Sequence, residues 1–214
     1  MVDRIIIPAR KGSKGLPGKN RMLFGFTAKT IPADLRHRVI VSTDDEAIQW
    51  LAGKWCFRVD WRPEGLADDS ASMRDVLADL AKRENFRDDE TILVLYLTYP
   101  ERTWGDVESA LKAFRESDAD SLLCAVEPKT HPYLCLYPDG RMVIEHDLCR
   151  RQEYPEILEL SHCVCCVRAG RIAHLGRNLY NGNTLYHRSA RRVDIDTRED
   201  YDMFVDRLAE REGY

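Results

Sequence analysis

The chain has 214 residues, with 32 basic and 36 acidic side chains and a formal net charge of −4 at pH 7. This balance leaves no broad basic surface for a nucleic-acid backbone, so a polynucleotide partner is not expected. No stretch approaches the roughly 20 apolar residues of a membrane-spanning helix, and we expect neither a signal peptide nor a membrane partner.

Residues 4–126 alternate short apolar runs with amphipathic segments. The runs typical of buried strands cover 4–8, 38–43, 57–61, 91–97 and 121–126. The segments typical of helices cover 44–52, 72–83 and 104–116. Strands that alternate with helices predict a mostly parallel α/β sheet, and the run at 91–97, the most apolar in the chain, is the predicted central strand.

The pattern changes after residue 126. The later apolar runs cover 133–137, 141–144 and 163–167. The turn signature Pro138-Asp139-Gly140 separates the first two of these runs and predicts a hairpin. A final helix is predicted over 197–212, with Thr197 and Asp200 as its capping box. Together the elements predict a three-layer α/β fold with a small β-hairpin insertion.

The loop that follows the first predicted strand, residues 8–20, is the most informative segment. Gly12, Gly15 and Gly18 allow the backbone to fold tightly and to present N–H groups to a ligand. Positive charge and a hydroxyl come from Arg10, Lys14, Lys19 and Ser13. This composition suits a triphosphate, although the spacing matches neither a Walker A loop nor G-x-G-x-x-G. A solvated basic turn is the alternative that composition leaves open.

The same loop closely resembles the opening signature of the CMP-sugar-acid synthetases, which comprise acylneuraminate cytidylyltransferases and relatives for Kdo, pseudaminic and legionaminic acids. Three further segments, 41–45, 62–72 and 194–200, resemble later motifs of that family and follow in its order. The resemblance implies a single Rossmann-like nucleotidyltransferase domain over 1–214. It also implies transfer of CMP from CTP to an acidic sugar with release of pyrophosphate. The alternatives are a small phosphonate or other anionic acceptor, a different nucleotide such as UTP or GTP, and a non-catalytic nucleotide-binding protein.

The resemblance assigns roles to individual positions. The nucleotide-binding residues that it implies are Ala9, Arg10, Gly12, Ser13, Lys14, Gly15, Lys19, Asn20, Arg62 and Ser72. The catalytic residues that it implies are Arg10, Lys19 and Asp196. The acceptor-binding positions that it implies are Tyr96, Thr98, Arg102 and Ser161. We expect Arg10 and Lys19 to neutralise phosphoryl oxygens, whereas no residue identifies itself as the general base.

Asp194 and Asp196 stand two residues apart at the end of a predicted strand, where side chains i and i+2 point to the same face. Two carboxylates on one face can hold Mg²⁺ while nucleotide phosphates supply further oxygens. Taken alone, such a pattern is more often a pair of solvent-facing or capping acids. The resemblance assigns both aspartates to the metal, Mg²⁺ or Mn²⁺, whereas Asp200 is explained by its helix cap.

The acceptor side departs from the family pattern. Where relatives carry glutamine and serine after the central strand, this chain has Tyr96 and Tyr99, and residues 161–166 replace an Asn-Gly-Ala-Ile-Tyr segment. A phenol offers one hydroxyl and a ring face instead of the paired donor and acceptor of an amide. A preserved nucleotide side and an altered acceptor side predict an acceptor other than a standard sialic acid.

Several further points concern architecture and location. The segment 21–38 is shorter than in relatives, so its crossover helix is either retained or lost. The histidine and cysteines at 162–166 lack the paired C-x2-C spacing of zinc sites, and alternating burial on a strand is the favoured explanation.

The resemblance suggests a homodimer in which residues 131–165 form a dimerisation and acceptor-site insertion. We interpret the seven irregularly spaced cysteines as reduced thiols of a cytoplasmic protein.

Overall fold

The computed structural model describes residues 2–12, 14–68 and 70–212. Its strands are β1 (Arg4–Pro8), β2 (Val39–Thr43), β3 (Arg58–Trp61), β4 (Thr91–Val94), β5 (Ser121–Val126), β6 (Glu159–Arg168) and β7 (Thr184–Arg188). Its α-helices are α1 (Lys19–Thr30), α2 (Glu46–Lys54), α3 (Met73–Arg83), α4 (Trp104–Arg115) and α5 (Arg198–Glu212). In this part of the chain no helix is both long and apolar enough to cross a membrane.

Within the described ranges, seven strands form one sheet in the order β3-β2-β1-β4-β6-β5-β7. Strand β1 pairs in parallel with β2 and β4, whereas β6 runs antiparallel to both β4 and β5. The predicted mostly parallel sheet with β4 at its centre is therefore confirmed. The chain leaves β1 for β2 on one side and enters β4 on the other, so the strand order reverses between β1 and β4. In open α/β sheets, the carboxyl ends of two such strands border the crevice where ligands bind.

The core lies on both faces of the sheet. Ile5 and Ile7 pack in one cluster with Phe24 of α1 and Phe114 of α4, while Ile6 packs in a second cluster with Leu77 of α3. Successive strand residues point to opposite faces, so β1 needs an unbroken apolar run to fill both clusters. The predicted three-layer arrangement, with helices on each side of the sheet, is confirmed.

The shortened segment 21–38 keeps its crossover helix. Helix α1 spans 12 residues, and a short 3-10 helix, Ala33–Arg38, leads directly into β2. Leu23 and Phe24 are fully buried, which anchors α1 to the sheet. The helix begins immediately after Gly18, whose φ of +74° is a conformation that side chains other than glycine rarely adopt. The segment is therefore shortened in the connection between α1 and β2, and α1 remains beside the glycine-rich loop.

The predicted hairpin after β5 is present in reduced form. Leu136 and Met142 form an isolated antiparallel bridge, and Gly140 turns the chain with φ of +88°. Tyr133 stacks on His146 with ring centroids 4.4 Å apart, which holds the irregular segment together. Residues 159–165, which the sequence interpretation included in the insertion, belong instead to strand β6 inside the sheet.

Candidate active site

A cavity of about 190 Å³ lies at the carboxyl ends of β1 and β4, where the strand order reverses. Its walls are Pro8, Arg10, Gly12, Lys19, Asn20, Arg62, Met73, Tyr96 and Thr98. Apart from Pro8 and Met73, every one of these residues is a predicted nucleotide- or acceptor-binding residue. Two larger hollows of about 510 and 580 Å³ border residues 125–160 and 186–188, away from the glycine-rich loop. The smaller cavity is the better candidate because it combines the loop, the cations and the reversal of strand order.

The loop that forms one wall of this cavity is held at both ends. The Ala9 N–H donates to the carbonyl of Ser42 at 2.9 Å, which extends β1 alongside β2. The Asn20 side-chain amide donates to the Arg10 carbonyl at 2.9 Å and so joins the start of α1 to the start of the loop. Gly12 has φ of +79°, which glycine adopts without strain. Ser13, a predicted nucleotide-binding residue, lies outside the described residues, and Lys14 is exposed beside it.

Gly15 brings the loop against the carboxylate segment near the C-terminus. A Cβ atom at this position would lie 2.4 Å from the main-chain oxygen of Asp196, which is closer than real Cβ atoms approach. The hydrogen of glycine is what permits this contact. The predicted phosphate loop and the predicted metal segment therefore touch through their backbones, although they are separated by most of the chain.

Lys19 makes the second link between the two segments. Its ammonium group donates to Oδ1 of Asp196 at 2.7 Å. Only 8% of the Lys19 residue is exposed, whereas the side chain of Asp196 is 70% exposed. Lys19 is also the first residue of α1, where the helix dipole favours a nearby anion. The ammonium group thus stands between the loop and an accessible carboxylate, where it can also reach a bound phosphate.

Arg62 is a second buried cation that lines the cavity. Its guanidinium donates to the Ser42 hydroxyl at 3.3 Å and to the Ser42 carbonyl at 3.0 Å. Burial lowers the pKa of Arg62, an effect that the nearby Asp44 carboxylate opposes, and arginine remains charged at neutral pH even so. Arg62 is fixed by β2 while it lines the cavity, so its charge is available to a ligand without a large loss of side-chain entropy.

Ser72 has a different position from the other predicted nucleotide-binding residues. Its hydroxyl caps helix α3, where it accepts from the Asp75 N–H at 3.2 Å and donates to the Asp75 carboxylate at 2.6 Å. The next residue, Met73, lines the cavity instead. Met73 is partly buried against the same apolar cluster as Tyr96, a position that the sequence pattern did not reveal.

Asp194 accepts a hydrogen bond from the Tyr99 phenol at 2.8 Å. Burial and the nearby negative charge of Asp196 raise the pKa of the Asp194 carboxyl, although Thr98 and Tyr99 oppose the rise by hydrogen bonding. Carboxylate oxygens are preferred ligands of Mg²⁺, and two carboxylates whose charges repel each other are stabilised by a cation between them. Among the described residues, no group of three or more His, Cys, Asp or Glu side chains forms a metal cluster. Two carboxylates are a donor set that suits Mg²⁺, and a cation held by this pair would take its remaining ligands from substrate and water.

Residues 189–196, called the strap below, carry both aspartates across the site. All of them are described, and they form a segment without regular secondary structure rather than the strand that the sequence predicted. The Ile195 N–H donates to the Thr98 carbonyl at 2.8 Å, and the Ile195 side chain is fully buried. Arg192 makes a two-pronged ion pair with Asp106 at 2.8 and 3.0 Å. The strap is thus held by isolated contacts instead of the hydrogen-bond ladder of a strand. The periodicity of the sequence alone could not distinguish such a segment from a strand.

Replacement of Asp106 by asparagine is expected to destabilise the protein by about 1–2 kcal/mol, since Asp106 both caps α4 with Thr103 and binds Arg192. Burial alone would raise the pKa of Asp106, but the hydrogen bonds that its carboxylate accepts from Arg192 and Thr103 have the larger combined effect. The pKa of Asp106 is therefore lower than that of a free aspartate. A lowered carboxyl pKa contributes stability above about pH 4, and that contribution is lost as the pH falls through the folded-state pKa. Urea unfolding at pH 7 and pH 3 measures both effects.

The matched control is Glu108→Gln, an exposed carboxylate on the same helix. We expect it to change the free energy of unfolding by less than about 0.5 kcal/mol at either pH. Equal losses for Asp106→Asn at pH 7 and pH 3 would contradict the assigned role of its negative charge.

Two predicted acceptor-binding residues reach the cavity, and a third lies close behind it. Tyr96 and Thr98 line its wall. The Tyr96 ring meets the ring of His162 edge to face, with centroids 5.7 Å apart. Ser161 is 7% exposed on β6, beside the Tyr99 hydroxyl. The cysteines of β6 are buried and, like the other four described in the chain, are free thiols. The alternating burial that we expected is not found: residues 163–167 are buried without a break, because β6 lies between β4 and β5 inside the sheet, where both of its faces are covered.

Arg102 corrects the sequence interpretation. It was assigned to the acceptor, but the residue is 2% exposed and lies beneath the site. Its guanidinium donates to the carbonyls of Tyr96 and Cys163 at 3.1 and 2.8 Å and to the Thr27 hydroxyl at 3.2 Å. Arg102 therefore ties α1, the end of β4 and β6 together from behind and cannot contact a ligand in the cavity.

Tyr99 is the functional candidate that the sequence interpretation noticed without assigning a role. The substitution of a serine by a tyrosine was visible in the sequence. Its hydrogen bond to Asp194 depends on the course of the strap, which no local pattern could indicate.

Comparison with known proteins identifies the family of the chain. A family model described as cytidylyltransferase matches residues 4–100. The chain is 30% identical over 172 residues to the post-translational flagellin modification protein B of Campylobacter coli, an alignment that covers 72% of each protein. It is 25% identical over 211 residues to the N-acylneuraminate cytidylyltransferase of Streptococcus agalactiae, with 92% of this chain and 51% of that protein covered.

Solved structures share the fold over almost the whole chain. The CTP complex of CMP:2-keto-3-deoxy-manno-octonic acid synthetase superposes with a TM-score of 0.72 and 17% identity, and covers 99% of this chain and 100% of its own. The chain spans about half, or less, of the length of the N-acylneuraminate cytidylyltransferases that it matches.

Proposed function

The chain belongs to the cytidylyltransferase family as a divergent relative of the CMP-sugar-acid synthetases, and on this basis we propose that it transfers CMP from CTP to an acidic sugar with release of pyrophosphate. The observation that carries the proposal is the 2.7 Å contact between Lys19 and Asp196. It joins a cationic glycine-rich loop, which suits a triphosphate, to a carboxylate pair, which suits a divalent cation. A protein that only bound nucleotides would have less need of a metal-binding carboxylate pair at this contact.

In the proposed reaction, a hydroxyl oxygen of the acceptor attacks the α-phosphorus of CTP, and the bond from that phosphorus to the oxygen that bridges to the β-phosphate breaks. Pyrophosphate leaves with the bridging oxygen, and the hydroxyl proton passes to solvent. The barrier comes mainly from charge on the phosphoryl oxygens and from the positioning of the two substrates. Arg10 and Lys19 supply positive charge to those oxygens from one wall, and Arg62 supplies it from beneath. The glycine-rich backbone contributes N–H groups that need no reorganisation when charge develops.

We propose Mg²⁺, or Mn²⁺ in its place, as the cofactor. Asp194 and Asp196 would hold it, and it would offset negative charge on the phosphates of bound CTP. Lys19 would remain within reach of Asp196 and of the same phosphates. Asp200 serves the cap of α5, as predicted, since its carboxylate accepts from the Thr197 N–H at 2.9 Å.

For the acceptor we propose a nonulosonic acid of the sialic-acid type. The names of the relatives support this class. A separate hollow of about 270 Å³ next to Asp194 has a mixed charged lining, which suits a sugar that carries both a carboxylate and hydroxyl groups. Its basic residues are Lys129, Arg191, Arg192 and Arg207, and its acidic residues are Glu101, Glu159, Asp194 and Asp200. Tyr96 and His162 offer ring faces to the acceptor in place of an amide, which supports a sugar that differs from standard sialic acid.

We also propose a cytoplasmic homodimer. The segment 131–158 and its surroundings expose several large apolar side chains, an uncommon feature of a surface that faces only water. They are Leu134, Leu136, Tyr137, Val143, Ile144 and Leu158. Free thiols at all seven cysteines, each within the described residues, support a reducing compartment.

Incubation of the protein with CTP and Mg²⁺ is expected to release pyrophosphate and to form a CMP-sugar when one member of an acceptor panel is added. The panel contains nonulosonic acids, Kdo and small phosphonates, and a parallel series replaces CTP by UTP. Lys19→Met is expected to lower the rate about 100- to 1,000-fold, because it removes a cation that neutralises the phosphates.

The control is Lys29→Met, which changes an exposed lysine in the last turn of the same helix. We expect it to leave the rate unchanged. Preferred turnover of UTP would contradict the choice of nucleotide. Binding of CTP without pyrophosphate release from any acceptor would favour a binding protein over an enzyme.

A further inference from the structure

Tyr99 connects the strap to strand β6. The residue is 5% exposed, and its hydroxyl lies between the Asp194 carboxylate and the backbone of His162. The carboxylate is one of the two proposed metal ligands, while His162 and its neighbour Ser161 belong to the wall that we assign to the acceptor. One buried phenol thus contacts both halves of the proposed site.

The direction of these hydrogen bonds follows from the donors and acceptors present. The His162 N–H donates to the Tyr99 oxygen at 3.1 Å. A phenol has a single proton, and with a backbone donor facing its oxygen that proton is free to point at Oδ2 of Asp194, 2.8 Å away. A phenol keeps its proton at neutral pH, so Tyr99 remains a donor.

A donor on one carboxylate oxygen fixes the orientation of the whole group. With Oδ2 held by Tyr99, the Asp194 carboxylate presents its other oxygen in a defined direction. Thr98 supplies another hydrogen bond to the same carboxylate. Partners of this kind, which hold a metal ligand without touching the metal, typically change metal affinity 10- to 100-fold when removed.

We propose that Tyr99 is a positioning residue that sets the affinity of Asp194 for the divalent cation and couples the orientation of this carboxylate to the acceptor wall on β6. The inference rests on the proposed function for the metal itself. What is new is the role of the Tyr99 phenol, and an experiment can separate this role from that of the two aspartates.

The test is Tyr99→Phe, which keeps the buried ring and removes only the hydroxyl. Binding of Mn²⁺ to the protein with CTP present, measured by electron paramagnetic resonance without acceptor, reports affinity independently of turnover. We expect about tenfold weaker Mn²⁺ binding, since one of the hydrogen bonds to the carboxylate remains. Affinity for CTP without metal, and the thermal unfolding midpoint, are expected to stay close to those of the unchanged protein.

Tyr180→Phe is the matched control, because it removes a hydroxyl from an exposed tyrosine away from the strap. Equal Mn²⁺ affinities for Tyr99→Phe and Tyr180→Phe would overturn the role of Tyr99 and leave the proposed function intact. Failure of the unchanged protein to bind Mn²⁺ in the presence of CTP would overturn the metal assignment and this inference together. Weaker binding of CTP in the absence of metal would show that Tyr99→Phe acts through the nucleotide cavity, which also overturns the inference.

Discussion

Substitution of Asp196 by asparagine is expected to lower the rate of CMP transfer about 100- to 1,000-fold. Asparagine has nearly the same shape, and its amide oxygen can still accept from Lys19, which lies 2.7 Å from the carboxylate. What it lacks is the negative charge that the proposed cation requires. Pyrophosphate release at saturating CTP, followed across a Mg²⁺ titration, measures the loss and shows whether excess metal restores part of the rate.

The control for this prediction is Asp206→Asn, which removes a charge from an exposed position on helix α5. Its rate and metal dependence are expected to match those of the unchanged protein. If Asp196→Asn kept more than about a tenth of the rate at low Mg²⁺, the carboxylate would not be a metal ligand and the proposed site would need a different centre.

Replacement of Gly15 by alanine is expected to reduce kcat/KM for CTP by roughly 100-fold. The added methyl group would lie 2.4 Å from the main-chain oxygen of Asp196, so either the loop or the strap must move. Displacements on the order of 1 Å in a catalytic arrangement can cost this much in rate. Both segments meet CTP in the proposed reaction, so we expect KM for CTP to rise and kcat to fall together.

Gly25→Ala provides a matched control for this substitution. Gly25 lies on the exposed side of α1, and a Cβ there would meet no other atom within 4 Å. Alanine in a helix interior is expected to stabilise the protein by about 0.5–1 kcal/mol without a change in kinetics. Unchanged kinetics for Gly15→Ala as well would mean that the loop and the strap do not need to touch for catalysis.

The glycine-rich loop and the strap show which features of the site a single sequence can predict. The glycine-rich loop was recognisable because its chemistry is local: three glycines and several cations within residues 8–20 favour phosphate binding wherever the loop lies. Arg62, Tyr96 and Thr98 were placed in the site by the order of the motifs, and they do line its cavity. The strands and most helices followed from periodicity, because buried elements need apolar residues at fixed intervals.

Other assignments depended on contacts that no local pattern encodes. Arg102 stands in a motif that suggests a ligand contact, yet it is buried behind the cavity, where its guanidinium serves carbonyls of two other elements. Ser72 carries a hydroxyl near the nucleotide segment, yet that hydroxyl caps α3. In each case the residue type fits more than one function, and only its position among distant neighbours distinguishes them.

The sequence by itself determined the fold class, since periodic apolar residues specify strands and helices. It also predicts a phosphate-binding loop from local residue types and, through the family resemblance, a metal-binding role for Asp194 and Asp196. The tertiary structure alone decided that Gly15 and Lys19 meet Asp196, that the strap replaces a strand, and that Tyr99 holds Asp194. These contacts join residues separated by 95 or more positions along the chain. Sheet order and core packing bring such pairs together. Both depend on the sum of many weak interactions, and no single sequence motif specifies them.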